Sequence, residues 1–153
     1  MKRTKKQLNW NDNCIREVRV NYLTTEKPKV QISGPSDIAE FVRSVLVDNS
    51  REQFFALYLE AKHNIAAFAI ITIGTANQSL IHPREVFQRA ILVGATSLAV
   101  AHNHPSGNTE PSKEDLSVTL RLKKAGVILG IELLDHVIVT DTGYTSLCEE
   151  ARL

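Results

Sequence analysis

The 153-residue chain has the length of one domain, and 43% apolar with 23% charged side chains is an ordinary soluble balance able to bury a core. Eighteen basic against seventeen acidic residues leave +1, so net charge gives no argument for nucleic acid, membrane surface or acidic partners. Cys14 and Cys148 lie near opposite ends without a CxxC pair, which excludes a thiolate zinc knot, argues against a disulfide framework and fits a reducing, cytoplasmic setting.

The basic run Lys2, Arg3, Lys5 and Lys6 reads as a solvated end, and residues 1–14 are expected to be poorly ordered. No apolar run follows it, so no signal peptide is expected. Glu17 to Leu23 alternates apolar and polar residues, a weak signal for an edge strand within an N-terminal extension, 1–34. Lys27-Pro28 and Gly34-Pro35 punctuate the chain before a single domain over 35–153. Ser36 can cap a helix with apolar positions Ile38, Phe41, Val42, Val45 and Leu46, ended by Asp48-Asn49-Ser50.

Phe54 to Leu59 and Ile65 to Ile73 are apolar on both alternating faces and read as a hairpin of buried strands turning at Glu60 to Asn64. Residues 63–83 lack Lys, Arg, Asp and Glu, but Asn64, Thr72, Thr75, Asn77, Gln78, Ser79 and Pro83 interrupt them too often for a membrane span. Pro83 opens a helix striped by Val86, Phe87, Ala90 and Ile91 and stopped at Gly94. Ser97 to Ala101 is a short strand. Another helix runs from Ser112 to Gly126 or Gly130, with Leu116 and Leu120 among its apolar positions. Leu133 to Thr140 is a late strand before a turn at Asp141-Thr142-Gly143. Strands interleaved with helices give an α/β fold, and the short 54–73 connection makes the sheet mixed.

The segment from Ala101 to Asp115 carries the chemistry. A strand period of two puts His102 and His104 on one face and Asn103 on the other. Two adjacent imidazoles are poor core filler, since each needs polar partners for both nitrogens, but they suit a borderline metal. Pro105 and Gly107 turn the chain back, and Ser112 opens a helix with Asp115 in its first turn. Two His and one Asp would leave a fourth zinc position for water, the catalytic pattern. Ser112 and Asp115 also match a capping box with Asp in place of Glu, and HxH alone is weak; the two readings are compatible. A metal that lowers the pKa of its water to about 7 needs a non-ligand carboxylate as general base and a donor for the oxyanion, such as Ser112. Spacing alone does not choose among Glu52, Glu60, Glu85 and Glu110 for that base.

His102-x-His104, seven residues, Ser112, two residues and Asp115 resembles the JAMM (MPN+) metalloprotease motif without a gap. The surrounding HNHPSG and PS, with the later Leu134-Asp135-His136-Val137-Ile138, is similar to the bacterial RadC family over roughly Pro35 to the C-terminus. The resemblance implies a helix-covered mixed sheet of JAB/MPN, cytidine-deaminase-like architecture. It implies one zinc on His102, His104 and Asp115, with an upstream glutamate as base before an early strand. Glu52, just ahead of Phe54 to Leu59, matches that position. Full-length RadC proteins usually carry a helix-hairpin-helix region first, and residues 1–34 are too short to hold one.

The expected activity is hydrolysis of an amide or isopeptide bond in an unknown protein or peptide substrate. His136, in a late apolar strand, reads as a satisfied core histidine; His63 and His82 read as turn and helix-lead residues. A nucleobase deaminase needs HxE and PCxxC, which are absent. The string His102-Asn103-His104 does not make an HNH nuclease, whose residues are dispersed. A two-metal phosphoesterase would need further ligands and a basic face. The alternative is a non-catalytic metal-binding or scaffold module in a DNA-repair-related complex, with nucleic-acid contact and oligomeric state left open.

Overall fold

The computed structural model describes residues 15, 19, 21–74 and 81–153. Three helices and five strands follow in the order α1 (Pro35–Val45), β1 (Gln53–Leu59), β2 (Ile65–Ile73), α2 (Pro83–Leu92), β3 (Ser97–Asn103), α3 (Lys113–Leu129), β4 (Glu132–Val139) and β5 (Tyr144–Ser146). The strands form one mixed sheet in the order β2-β1-β3-β4-β5. β1 pairs antiparallel with both β2 and β3, β3 runs parallel to β4, and β5 returns antiparallel beside β4.

Both faces of the sheet are covered, so β1 from Phe54 to Leu59 and β3 from Leu98 to Ala101 carry apolar residues on both faces. On one side α1 packs Ile38, Ala39, Phe41 and Val42 against Phe55, Leu57, Leu59, Ala99, Ala101, Val137 and Val139. On the other, Val86, Phe87 and Ala90 of α2 and Val118 and Leu122 of α3 pack against Phe54, Ala56, Tyr58, Leu98 and Val100. His102 follows Leu98 and Val100 onto the α2/α3 side, while Asn103 follows Ala99 and Ala101 onto the α1 side.

Several local expectations are corrected. Helix α1 starts at Pro35, so Ser36 lies inside it; Asp37 instead accepts from the main-chain N–H groups of Ser33 and Gly34 at 2.6 and 3.2 Å. β2 is one of the sheet's two outer strands and is only partly buried, because no strand among the described residues covers its far edge. Ile91 and Leu120, expected on apolar stripes, are exposed. The inward face of α3 is instead Asp115, Val118, Thr119, Leu122 and Gly126, a stripe that passes through polar residues. That helix ends at Gly130, whose φ of +68° reverses the chain. Gly126 is retained inside it because a Cβ there would stand 2.5 Å from the main-chain oxygen of Ile131.

β3 runs two residues beyond its expected end, so His102 lies within the sheet. β5 has no counterpart in the sequence reading. Of the expected strand over Glu17 to Leu23, residues 17, 18 and 20 lie outside the described residues, and 19 and 21–23 are irregular. Cys14 also lies outside them, while Cys148 is a free, exposed thiol. No helix of the described residues is long and apolar enough to cross a membrane.

Candidate metal centre

The centre is built at the end of β3, where three elements meet. Register places His102 between Phe54 of β1 and Ile138 of β4. His104, one step beyond the strand, is held by its N–H to the Val139 oxygen at 2.9 Å. The two imidazoles therefore share the α2/α3 side, with Nε2 atoms 2.9 Å apart. Phe54 stacks on His102 at 6.1 Å and meets His136 edge-on at 5.4 Å, giving the pair an apolar floor.

The chain leaves His104 through Gly107, whose φ of +80° allows the turn, and returns as the first turn of α3. Ser112 caps that helix: its hydroxyl accepts from the Asp115 N–H at 3.1 Å and donates to Asp115 Oδ2 at 2.7 Å. The Ser112 N–H donates to the same oxygen at 2.7 Å. These bonds hold the Asp115 carboxylate against the helix start and turn Oδ1 towards the histidines, 3.2 Å from His102 Nε2. The other carboxylate oxygen is 3.9 Å from His104 Nε2. Asp115 is wholly buried, and Oδ1 has no hydrogen-bond partner. Burial alone would push this carboxyl up, but the neighbouring His102 ring and the bonds from Ser112 outweigh it and hold it well below the usual carboxylate range.

Glu52 comes to the same place from β1's lead-in. A carboxylate oxygen of Glu52 and a ring nitrogen each of His102 and His104 lie within 4.8 Å of one another. The backbone around Glu52 is clamped by Asn103, the residue between the two histidines. Buried on the α1 side, Asn103 accepts from the Gln53 N–H at 2.7 Å and donates to the Arg51 oxygen at 3.0 Å and to Asn49 Oδ1 at 2.8 Å. One strand segment thus serves the site twice, with histidines on one face and a support for Glu52 on the other.

The donor set fits a divalent cation of the zinc type. Tetrahedral ligands about 2.0–2.1 Å from a centre lie roughly 3.3 Å apart, and the separations of 2.9 Å between the two Nε2 atoms and 3.2 Å from His102 Nε2 to Asp115 Oδ1 fall close to that value. His104 Nδ1 lies 2.6 Å from the Asn108 main-chain oxygen, which can only accept, so in the neutral ring Nε2 presents a lone pair to the site. An anionic oxygen left unpartnered in the interior is costly unless a cation meets it.

Among the sequence-predicted site residues, the fold brings His102, His104, Asp115, Ser112 and Glu52 together. Ser112 commits its one proton to Asp115, so its place here is a bond to a candidate ligand. Of the other glutamates, Glu110 pairs with Arg152 at 3.0 Å, Glu85 with Arg84 at 3.3 Å, and Glu60 accepts from Asn64 at 2.7 Å. His63 sits in the β1–β2 turn at φ +58°, and His82 caps α2 by accepting from the Arg84 N–H. His136 is buried in β4 and bonds His102 Nδ1 through Nε2 at 2.8 Å; burial, then His102, push its imidazole well below the ordinary range.

A family model for the RadC-like JAB domain matches residues 32–153. The chain belongs to the RadC family. It is 49% identical over 131 residues to a UPF0758 protein of Staphylococcus epidermidis, covering 86% of this chain and 58% of that protein. A UPF0758 protein of Staphylococcus carnosus is 44% identical over 84% of this chain and 57% of its own length. One from Methanosarcina mazei is 42% identical over 82% and 55%. The chain therefore spans little more than half the length of these RadC-family relatives. Asn103 and Thr119 were passed over as site residues in sequence. Their signals were a polar residue on a covered strand face and a threonine four residues after Asp115, one helical turn on.

Proposed function

We propose that this RadC-family domain is a zinc-dependent hydrolase of the JAMM type, cleaving an amide or isopeptide bond in a protein or peptide. The observation that carries the reading is the buried, unpartnered Asp115 Oδ1 facing two histidine Nε2 atoms at the tip of β3. His102, His104 and Asp115 would hold the ion. When bound, zinc supplies Lewis acidity that lowers the pKa of water to about 7 and polarises a carbonyl.

The remaining roles fall to the chain's own groups. Glu52 stands beside the two histidines and takes the proton of the attacking water, then delivers it to the leaving amine. Asn103 keeps Glu52 from drifting by fixing the backbone on both sides of it. Ser112 holds Asp115 in the resting site. Its hydroxyl can turn to the developing oxyanion without stranding Asp115 Oδ2, because that oxygen keeps the Ser112 N–H. The cysteine pattern supports a cytoplasmic setting.

The test is a mass-spectrometric screen of zinc-loaded protein against linear peptides and peptides branched through lysine Nε. Cleavage by the wild type, lost in Glu52→Gln with zinc content kept, supports the reading. Bound zinc with no cleavage of either library favours the scaffold alternative.

A further inference from the structure

We propose that Thr119 and His136 form a hydrogen-bond relay that fixes His102 in the tautomer whose Nε2 lone pair faces the metal centre. Both are then positioning residues of that centre. The proposal rests on the metal reading above: hydrogen bonds running in from Thr119 and from the Asn108 oxygen leave the Nε2 atoms of His102 and His104 bare at 2.9 Å, a contact that a cation makes favourable.

The relay starts at an atom that can only accept. Thr119 Oγ1 lies 2.6 Å from the main-chain oxygen of Asp115, so the single hydroxyl proton sits between them. Were it turned away, two oxygens would face each other at that distance with no hydrogen. Thr119 Oγ1 therefore offers only lone pairs to His136 Nδ1, also 2.6 Å away, and that nitrogen must donate. His136 is wholly buried, and its two ring nitrogens meet a hydroxyl and an imidazole, neither of them an anion, so the ring is neutral. Its Nε2 is consequently an acceptor and takes its hydrogen from His102 Nδ1 at 2.8 Å. His102 Nε2 is left bare, 3.2 Å from Asp115 Oδ1 and 2.9 Å from His104 Nε2.

One helical turn thus sets two ligands. The start of α3 presents the Asp115 carboxylate through Ser112, and the Asp115 carbonyl, through Thr119 and His136, settles where the His102 proton lies. The packing explains why a polar stripe replaces the apolar one expected on this helix. Outer partners of this kind fix ring orientation and raise ligand basicity, and their loss typically weakens metal binding 10–100-fold.

Thr119→Val keeps the shape and removes the acceptor. His136 Nδ1–H would then face a methyl group, and the relay can invert: the His136 proton moves to Nε2, His102 Nδ1 becomes the acceptor, and the His102 proton moves to Nε2, inside the site. Thr119→Ser retains the hydroxyl. The experiment is a two-bond 1H–15N correlation spectrum of the histidine-labelled, zinc-loaded full chain at about pH 9, above the ordinary imidazole value of about 6.5, paired with Zn2+ affinity by chelator competition. The expected wild-type spectrum shows His102 and His136 both protonated on Nδ1. Thr119→Val should weaken zinc binding about 10–100-fold, and Thr119→Ser should restore it. A wild-type His102 or His136 protonated on Nε2 overturns the relay, as does Thr119→Val that folds with affinity unchanged. If Thr119→Val does not fold, the wild-type spectrum still decides. A wild type that takes no zinc removes the metal reading and the relay with it.

Discussion

Replacing Asn103 by alanine separates the support of Glu52 from the metal ligands. Its side chain makes three hydrogen bonds, to Gln53 N–H, the Arg51 oxygen and Asn49 Oδ1, at 2.7–3.0 Å. Each is worth about 0.5–1.5 kcal/mol net, and stranding a buried N–H adds about 1–3 kcal/mol, so a loss of roughly 2.5–7.5 kcal/mol is expected. The deleted atoms lie on the α1 side of β3, away from His102, His104 and Asp115. Urea unfolding should therefore show the full loss, while zinc content of the still-folded protein stays at the wild-type level. Any hydrolysis found should fall, since the segment carrying Glu52 is no longer fixed at Arg51 and Gln53. A stability loss below about 0.5 kcal/mol, within the range of surface substitutions, would refute the clamp. So would zinc loss in folded protein.

Gly126→Ala should lower the melting temperature despite a helix-propensity gain of about 1 kcal/mol, because the new Cβ would stand 2.5 Å from the Ile131 oxygen; a stabilised variant contradicts this. Tyr58, whose hydroxyl donates to the Val86 oxygen at 3.0 Å, has its ionisation pushed up by burial, so its stabilising contribution is present below the unfolded value of about 10 and is lost as pH rises through the folded one. Tyr58→Phe should accordingly flatten the alkaline decline in stability; equal slopes in the two proteins argue against it. In Glu52→Gln, thermal unfolding with and without Zn2+ should show the same zinc-dependent stabilisation as wild type, and its disappearance would make Glu52 a ligand.

The sheet was legible because strands covered on both faces hold apolar runs, as Phe54 to Leu59 and Leu98 to Ala101 do. The outer position of β2 was not, since Ile65 to Ile73 is equally apolar and differs from β1 only in having one neighbour. Helix α3 misled for a related reason. Its sequence offers Leu116 and Leu120 as an apolar stripe, yet the helix is rotated so that Asp115 and Thr119 face the sheet, Asp115 towards His102 and Thr119 bonded to His136. Polar residues that pair with one another across elements leave no periodic trace. HxH and the capping pair lie close in sequence and were readable together. The partners supplied by β1 and β4, Glu52 and His136, needed the register of the sheet.

The most direct measurement is zinc per chain, by elemental analysis after loading and dialysis, for wild type, His102→Ala, Asp115→Ala and Glu52→Ala. The expected result is one zinc in wild type and in Glu52→Ala, and close to none in the other two. Zinc kept by Asp115→Ala but lost from Glu52→Ala would contradict the ligand set, placing Glu52 on the ion with the histidines; no zinc in the wild type would contradict the metal centre itself.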